Sequence, residues 1–280
     1  MILVIDSGST KTEWSIIENN RFISSFRSGG INPYFHNDDY IYNNNINSIN
    51  QNIDRKVVSE IFFYGAGCSS ESKCNIVFKG LARIFENAKI EVYHDLLGAA
   101  RALCGSKAGI AGILGTGSNS CKYDGVDIVE NVKSLGYFFG DEGGGVHIGK
   151  TLIIDFLKNN LPIDLRKDFI CKYNLSIEDI LDSVYNKTNP NKFLASFTLF
   201  VKDNINNEYC YDIVEKCFDL YFKEQISQYF EYNKYELNCL GSVAYNFKDI
   251  LNIVAKKHNV KLGKIIINPN QDLIGYHLNI

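Results

Sequence analysis

The chain has 280 residues, of which 45% are hydrophobic and 22% charged, enough to bury a sizeable core and too apolar for a mostly disordered or fibrous chain. That length suits one large or two ordinary domains, and two domains with a cleft between them is the starting expectation. Lysine plus arginine number 29 against 32 acids, for a formal charge of −3. With no polybasic run, this argues against a general nucleic-acid or anionic-membrane binder.

The first apolar run, Ile2 to Ile5, meets Asp6 at once, so no signal peptide is expected at this end. No later run reaches the ~18–20 apolar residues of a membrane-spanning helix, and a cytoplasmic location is the expectation. The eight cysteines (68, 74, 104, 121, 171, 210, 217 and 239) include no C-x-x-C pair. In a chain of this size they read as buried or incidental thiols rather than staples or cluster ligands.

In chain order, Ile2–Ile5, Glu60–Tyr64, Ile90–Tyr93, Gly109–Leu114, Leu237–Leu240 and Lys264–Ile267 read as buried strands. Ser72–Phe85, Leu96–Cys104, Val146–Leu157 and Tyr211–Phe230 read as helices, giving α/β organisation. The asparagine-rich stretch from Tyr40 to Ile53 resembles low-complexity sequence. Yet Tyr42, Ile46, Ile49 and Ile53 form one apolar helical stripe, so an amphipathic helix is expected there.

An internal repeat organises these elements. Strand Ile2–Ile5, the turn Gly8-Ser9-Thr10, strand Thr12–Ile17, a turn at Asn19-Asn20 and strand Arg21–Phe26 make the first copy. Strand Gly109–Leu114, the turn Gly115-Thr116-Gly117-Ser118, strand Asn119–Tyr123, a turn at Asp124-Gly125 and strand Asp127–Val132 make the second. Each is a hairpin opened by a glycine–hydroxyl turn, and the Asp-Gly pair suits a tight turn with positive φ. Two such domains facing one another would bring both turns to one ligand.

Glycine lets backbone N–H groups converge on phosphate oxygens, and serine or threonine adds a hydroxyl donor. Neither turn fits a P-loop or opens a helix as a dinucleotide fingerprint does, but together they suggest a nucleotide whose phosphates are clasped between two hairpins. Asp6, ending the first strand, is placed to hold Mg²⁺, with a turn aspartate as the alternative. Lys11 reads as a solvated lysine. Asp95, between strand and helix, is either an N-cap or a general base for a substrate hydroxyl, and His94 reads as structural. Gly140-Asp141-Glu142-Gly143-Gly144-Gly145 precedes a helix whose dipole favours acids, yet three successive glycines point to a polar loop against a substrate. Gly241-Ser242-Val243-Ala244 is a tight turn or a flat rest for adenine and ribose. Asn32, in Ser28-Gly29-Gly30-Ile31-Asn32-Pro33, either presents an amide to sugar hydroxyls or stabilises its own loop.

Taken together, Asp6–Thr12 (DSGSTKT), Asp95–Gly105 (DLLGAARALCG), Ile113–Ser120 (ILGTGSNS), Gly136–Gly145 (GYFFGDEGGG) and Gly241–Ala244 (GSVA) resemble the N-acetylglucosamine kinase and BadF-type ATPase family. These are actin-like phosphotransferases of ribonuclease-H fold. The resemblance implies two duplicated α/β domains, residues 1–107 and 108–280, with the last residues packing back onto the first. It implies a first phosphate loop at Asp6, Gly8, Ser9 and Thr10, and a second at Gly115, Thr116, Gly117 and Ser118. It further implies Asp95 as the base, Asn32, Thr116 and Asp141 on the sugar, with Ser134 and Leu135 beside it, Gly241 and Ser242 at the adenosine, and a homodimer. Lys133-Ser134-Leu135 and Gly144 depart from the pattern, which expects prolines or glycines and a serine.

The activity so implied is ATP- and Mg²⁺-dependent phosphorylation of the 6-hydroxyl of an amino sugar, most readily N-acetylglucosamine. An alternative is an ATPase that activates a partner enzyme through domain motion. Such activators carry an iron–sulfur cluster, for which Cys68 and Cys104 would be the candidate ligands. A third reading, a sugar-sensing regulator, would need a DNA-binding module for which neither end offers expected room.

Overall fold

The computed structural model describes residues 1–8 and 11–278. Two compact units divide them. One comprises residues 1–107, 125–127 and 268 onward, the other 108–124 and 128–267.

In the first unit β1 (Ile2–Ser7), β2 (Lys11–Glu18) and β3 (Arg21–Gly29) form an antiparallel meander, and α1 (Asp38–Asn52) follows. Then come β4 (Glu60–Gly65), α2 (Glu71–Ile84), β5 (Lys89–His94) and α3 (Asp95–Cys104). The sheet order is β3-β2-β1-β4-β5, with β4 and β5 parallel to β1. β1 lies at the centre, which explains its unbroken apolar run: Leu3, Val4 and Ile5 are all buried because helices cover both faces of the sheet. Trp14 anchors this core, stacked on Phe26 at 5.7 Å, with its indole N–H donating to Ser28 Oγ at 2.9 Å.

The second unit repeats the scheme. β6 (Gly109–Leu114), β7 (Ser118–Tyr123) and β8 (Ile128–Glu130) are the antiparallel part. The helices α4 (Gly136–Phe139), α5 (Gly145–Leu157), α6 (Ile163–Tyr173), α7 (Ile177–Tyr185), α8 (Pro190–Ser196), α9 (Thr198–Asp203) and α10 (Glu208–Glu224) follow. β9 (Glu236–Leu240), α11 (Ser242–Asn246), α12 (Lys248–Lys257) and β10 (Lys261–Ile266) complete it. The order β8-β7-β6-β9-β10 matches the first sheet strand for strand. Its core is richer in aromatics, with Phe169 packed on Phe156, Phe197 and Phe200 at 4.5–5.6 Å between ring centroids.

The last helix, α13 (Asn270–Leu278), belongs to the first unit and packs on α3, β1 and β2. His277 Nε2 lies 2.9 Å from the Tyr64 hydroxyl, which also accepts from Arg101 at 2.8 Å. Burial and the Arg101 charge push His277 down to about 4, so it sits in this cluster as a neutral ring.

Three sequence expectations are corrected. The helix expected over Tyr211–Phe230 ends at Glu224 and gives way to a short 3-10 turn at Ile226–Gln228, because Gln225 turns inward to hydrogen-bond the core. The strand expected at Lys264–Ile267 starts three residues earlier, at Lys261, where Leu262 pairs with Leu237 across the sheet before a bulge. The strand expected over Asp127–Val132 contracts to Ile128–Glu130 at a register shift opposite Tyr123. The asparagine-rich segment is helical, but Ile41, Asn45 and Ile49 are its buried residues. Asn45 is accommodated by accepting from Ser28 Oγ at 2.6 Å and donating to the Ile41 carbonyl at 2.8 Å.

Candidate active site

The first unit places Asp6 near the end of β1, opposite Glu13 of β2 and Tyr64 of β4. The turn beyond it is closed by Gly8 N–H donating to the Lys11 carbonyl at 3.0 Å. Its base is knit by Ser7 Oγ and Thr12 Oγ1 at 2.7 Å, with Ile31 N–H donating to Ser7 Oγ at 3.0 Å. Ser9 and Thr10, expected at the phosphates, lie outside the described residues. Lys11 is exposed, as a solvated lysine would be. Among the described residues no side chain hydrogen-bonds the Asp6 carboxylate. Burial first, then the negative charges of Asp95 and Glu13, push it up to about 6, while Lys11 pulls the other way. A carboxylate so held is under-neutralised by the protein itself and fits a divalent cation as its missing counter-charge.

Asp95 occupies the first helical position of α3, directly after β5. The N-cap position is held by His94, whose ring nitrogen Nδ1 lies 3.0 Å from the Leu96 backbone nitrogen. Asp95 lies one position past the N-cap and does not take the capping duty that its sequence position alone allowed. Its negative charge bears on Asp6, so the first unit brings these two carboxylates into one electrostatic neighbourhood. Asn32 is buried. Its Oδ1 accepts the Tyr34 N–H at 3.0 Å and its own N–H donates to His36 Nδ1 at 3.2 Å, so loop stabilisation is one of its duties. Cys68 is buried, its thiol pushed far up chiefly by burial, and Cys104 ends α3. Among the described residues no group of three or more His, Cys, Asp or Glu could hold a metal ion.

In the second unit the turn between β6 and β7 is gripped from behind by α5. Gly145 N–H donates to the Gly115 carbonyl and Val146 N–H to the Thr116 carbonyl, both at 2.8 Å. Helix donors that would otherwise go unsatisfied thus fix the turn's carbonyls, while Gly115 N–H donates to the Gly117 carbonyl at 3.0 Å. Among the described residues the N–H groups of Thr116 and Gly117 have no protein acceptor, which leaves two adjacent backbone donors for an anion. Thr116 is the exposed member of the turn. Ser118 is turned inward: its N–H donates to Asp141 Oδ1 at 3.0 Å and its Oγ accepts from Gln225 at 3.1 Å.

Asp141 is nearly buried and adopts φ 61°, a left-handed conformation that aspartate tolerates better than most residues. Its Oδ1 accepts from Ser118 N–H and from Ser134 Oγ at 3.5 Å, tying the acidic loop to the turn. Burial raises its pKa, the Ser118 N–H bond opposing the shift. Ser134 and Leu135 are exposed just ahead of α4. Gly144, where the resemblance expects serine, lies against the turn: a Cβ there would fall 2.6 Å from the Gly117 carbonyl carbon and 2.8 Å from its oxygen. The departure is therefore a packing requirement of this chain. Gly241 has φ 124°, and a Cβ there would fall 2.4 Å from the Leu114 carbonyl oxygen. That contact sets Gly241 beside the start of the second turn, with Ser242 exposed at the head of α11.

Sequence reasoning missed Gln225. It is almost fully buried, donates to Ser118 Oγ and to Glu142 at 3.2 Å, and accepts from Ser120 Oγ at 3.2 Å. Ser120 Oγ is also 2.8 Å from the Tyr229 hydroxyl. A glutamine ending a helix carries no distinguishing pattern, and only its burial reveals it.

The fold and the paired turns define a class. Two sheets of one strand order, each an antiparallel meander continued by parallel strands, form the actin-like fold of duplicated ribonuclease-H-like domains. No family model matches the chain, and no curated protein does. Among solved structures, a protein of Porphyromonas gingivalis provisionally named an N-acetylglucosamine kinase superposes with a TM-score of 0.92 at 39% identity, over 100% of this chain and 99% of that one. A Chromobacterium violaceum protein given the same provisional name superposes at 0.72 with 11% identity, over 98% of both chains. A ROK-family glucokinase of Streptomyces griseus, in complex with glucose and AMPPNP, reaches 0.54 with 11% identity over 98% of this chain and 97% of that one. Those two likenesses are of fold. On the first, the chain belongs to the N-acetylglucosamine kinase family of actin-like sugar kinases.

Proposed function

We propose that the protein transfers the γ-phosphoryl group of ATP to the 6-hydroxyl of an amino sugar, most readily N-acetylglucosamine. The observation that carries this reading is Asp95: a carboxylate on the first turn of α3, one position inside the N-cap and within the electrostatic reach of Asp6. The acceptor hydroxyl oxygen forms a bond to the γ-phosphorus as the bond to the ADP bridging oxygen breaks, and the hydroxyl proton passes to Asp95. The phosphates are taken at the two turns, Gly8, Ser9 and Thr10 in the first and Gly115, Thr116, Gly117 and Ser118 in the second, where Thr116 and Gly117 offer the unengaged N–H groups. Asn32, Thr116, Ser134, Leu135 and Asp141 meet the sugar, and Gly241 and Ser242 border the adenosine.

Asp6, raised for want of a counter-charge, is the residue that would hold Mg²⁺, which supplies charge neutralisation on the phosphates when bound. Asp141 has one oxygen committed to Ser118 and Ser134, which fixes the carboxylate and leaves Oδ2 for a sugar hydroxyl.

A coupled ADP-release assay with Mg·ATP against N-acetylglucosamine, N-acetylmuramic acid, glucosamine, N-acetylmannosamine and glucose tests the reading. A rate that depends on sugar and is highest with N-acetylglucosamine is expected. ATP hydrolysis that no sugar accelerates would refute it.

A further inference from the structure

His94 stands between strand and helix with no intervening loop, and its one ring nitrogen Nδ1 faces two partners. Leu96 N–H is 3.0 Å away and Asp95 Oδ1 is 2.7 Å away. These contacts make opposite demands. The Leu96 N–H needs a lone pair on Nδ1, whereas the ionised Asp95 carboxylate, acceptor only, needs a proton there. A ring with its proton on Nε2 caps the helix and turns a lone pair toward the carboxylate. A ring with its proton on Nδ1 releases the cap and holds Oδ1 by a charge-assisted hydrogen bond.

The balance favours the second arrangement. A lone pair set against a carboxylate oxygen at 2.7 Å is repulsive, and a hydrogen bond to an ionised group contributes more to stability than an N-cap does. The raised pKa of His94, caused first by its bond to Asp95, agrees with the geometry.

We propose that His94 is a positioning residue: its Nδ1–H holds Oδ1 of Asp95 so that Oδ2 faces the acceptor hydroxyl. The inference rests on the assignment of Asp95 as the base. Both side chains are about one-third exposed, so without this bond the carboxylate would rotate freely on the helix surface, and reacting groups a fraction of an ångström out of place lose rate steeply.

Three variants test it. In His94→Ser the hydroxyl can cap Leu96 but is too short to hold Asp95. We expect kcat to fall roughly ten- to hundredfold with KM for ATP and sugar, and Tm, close to wild type. His94→Asn, whose amide nitrogen can occupy the position of Nδ1, should recover most of that loss. In an Asp95→Asn background His94→Ser should cost nothing further, because the group it positions is gone. Spectra of ¹⁵N-histidine-labelled protein give a readout independent of turnover and should show the His94 proton on Nδ1. Wild-type kcat in His94→Ser, an equal loss in both backgrounds, or a ring protonated on Nε2 alone would overturn the proposal while leaving the kinase assignment standing. Normal turnover in Asp95→Asn would overturn both.

Discussion

The charge penalty on the Asp6 carboxylate offers a test of the metal-holding role proposed for it. In the folded protein it is held at about 6, against 3.8 for an unhindered aspartate, by burial and by the charges of Asp95 and Glu13. Folded protein therefore binds this proton more tightly than unfolded chain does, so stability falls as pH rises from about 4 through about 6 and is level above. The difference of roughly two pKa units corresponds to about 3 kcal/mol at most, and about 1–3 kcal/mol after allowance for partial exposure to solvent. Asp6→Asn keeps the shape and removes the charge. Denaturant unfolding followed by circular dichroism near pH 7.5 should show the variant more stable than wild type by that amount, and the advantage should vanish near pH 4. The same variant should lose phosphotransfer, and Mg²⁺ should protect wild type and not the variant against unfolding. A variant less stable than wild type near pH 7.5, or a difference independent of pH, would refute the argument that Asp6 lacks a counter-charge.

Asp95→Asn should lower kcat by about 10²–10⁴-fold with little change in sugar affinity, the scale of a lost general base, as steady-state kinetics would show. Gln225→Leu leaves Ser118 Oγ and Glu142 without their donor and Ser120 with only Tyr229. Denaturant titration should show a loss of about 1–3 kcal/mol, accompanied by a higher KM for ATP because the second turn loses its brace. Gly241→Ala forces a Cβ into 2.4 Å contact with the Leu114 carbonyl at φ 124°. Thermal unfolding should show a lower Tm and calorimetric titration weaker nucleotide binding, whereas Ser242→Ala, at an exposed position, should leave Tm unchanged.

The duplicated plan was legible because it rests on short-range signals. Ile2–Ile5 and Gly109–Leu114 are central strands whose continuous apolar runs stand out, and each leads into a glycine turn at the same place in its hairpin. What was not legible depends on contacts distant in sequence. The helices from Ile163 to Asp203 are short and bury few residues each: α6 only Leu165 and Phe169, α8 only Leu194. An apolar stripe of one or two positions does not register as a period. The end of α10 was overrun because Phe230 and Tyr229 prolong its apolar pattern, while Gln225 breaks it for the sake of Ser118, Ser120 and Glu142. At the candidate site the residue types of the turns and of Asp6, Asp95 and Asp141 announced themselves. The substitution of glycine for serine at 144 read as a departure in chemistry until its distance to Gly117 showed it to be steric. His94 read as structural, with the N-cap role offered to Asp95, and its shared nitrogen is visible only in three dimensions.

Product analysis tests the central claim most directly. Phosphorus-31 and proton NMR of a reaction with Mg·ATP and N-acetylglucosamine should show one sugar 6-phosphate formed for each ADP released, with inorganic phosphate negligible. ADP accompanied by an equal amount of inorganic phosphate and no sugar phosphate would contradict the account, because water and not the sugar hydroxyl would then be the acceptor.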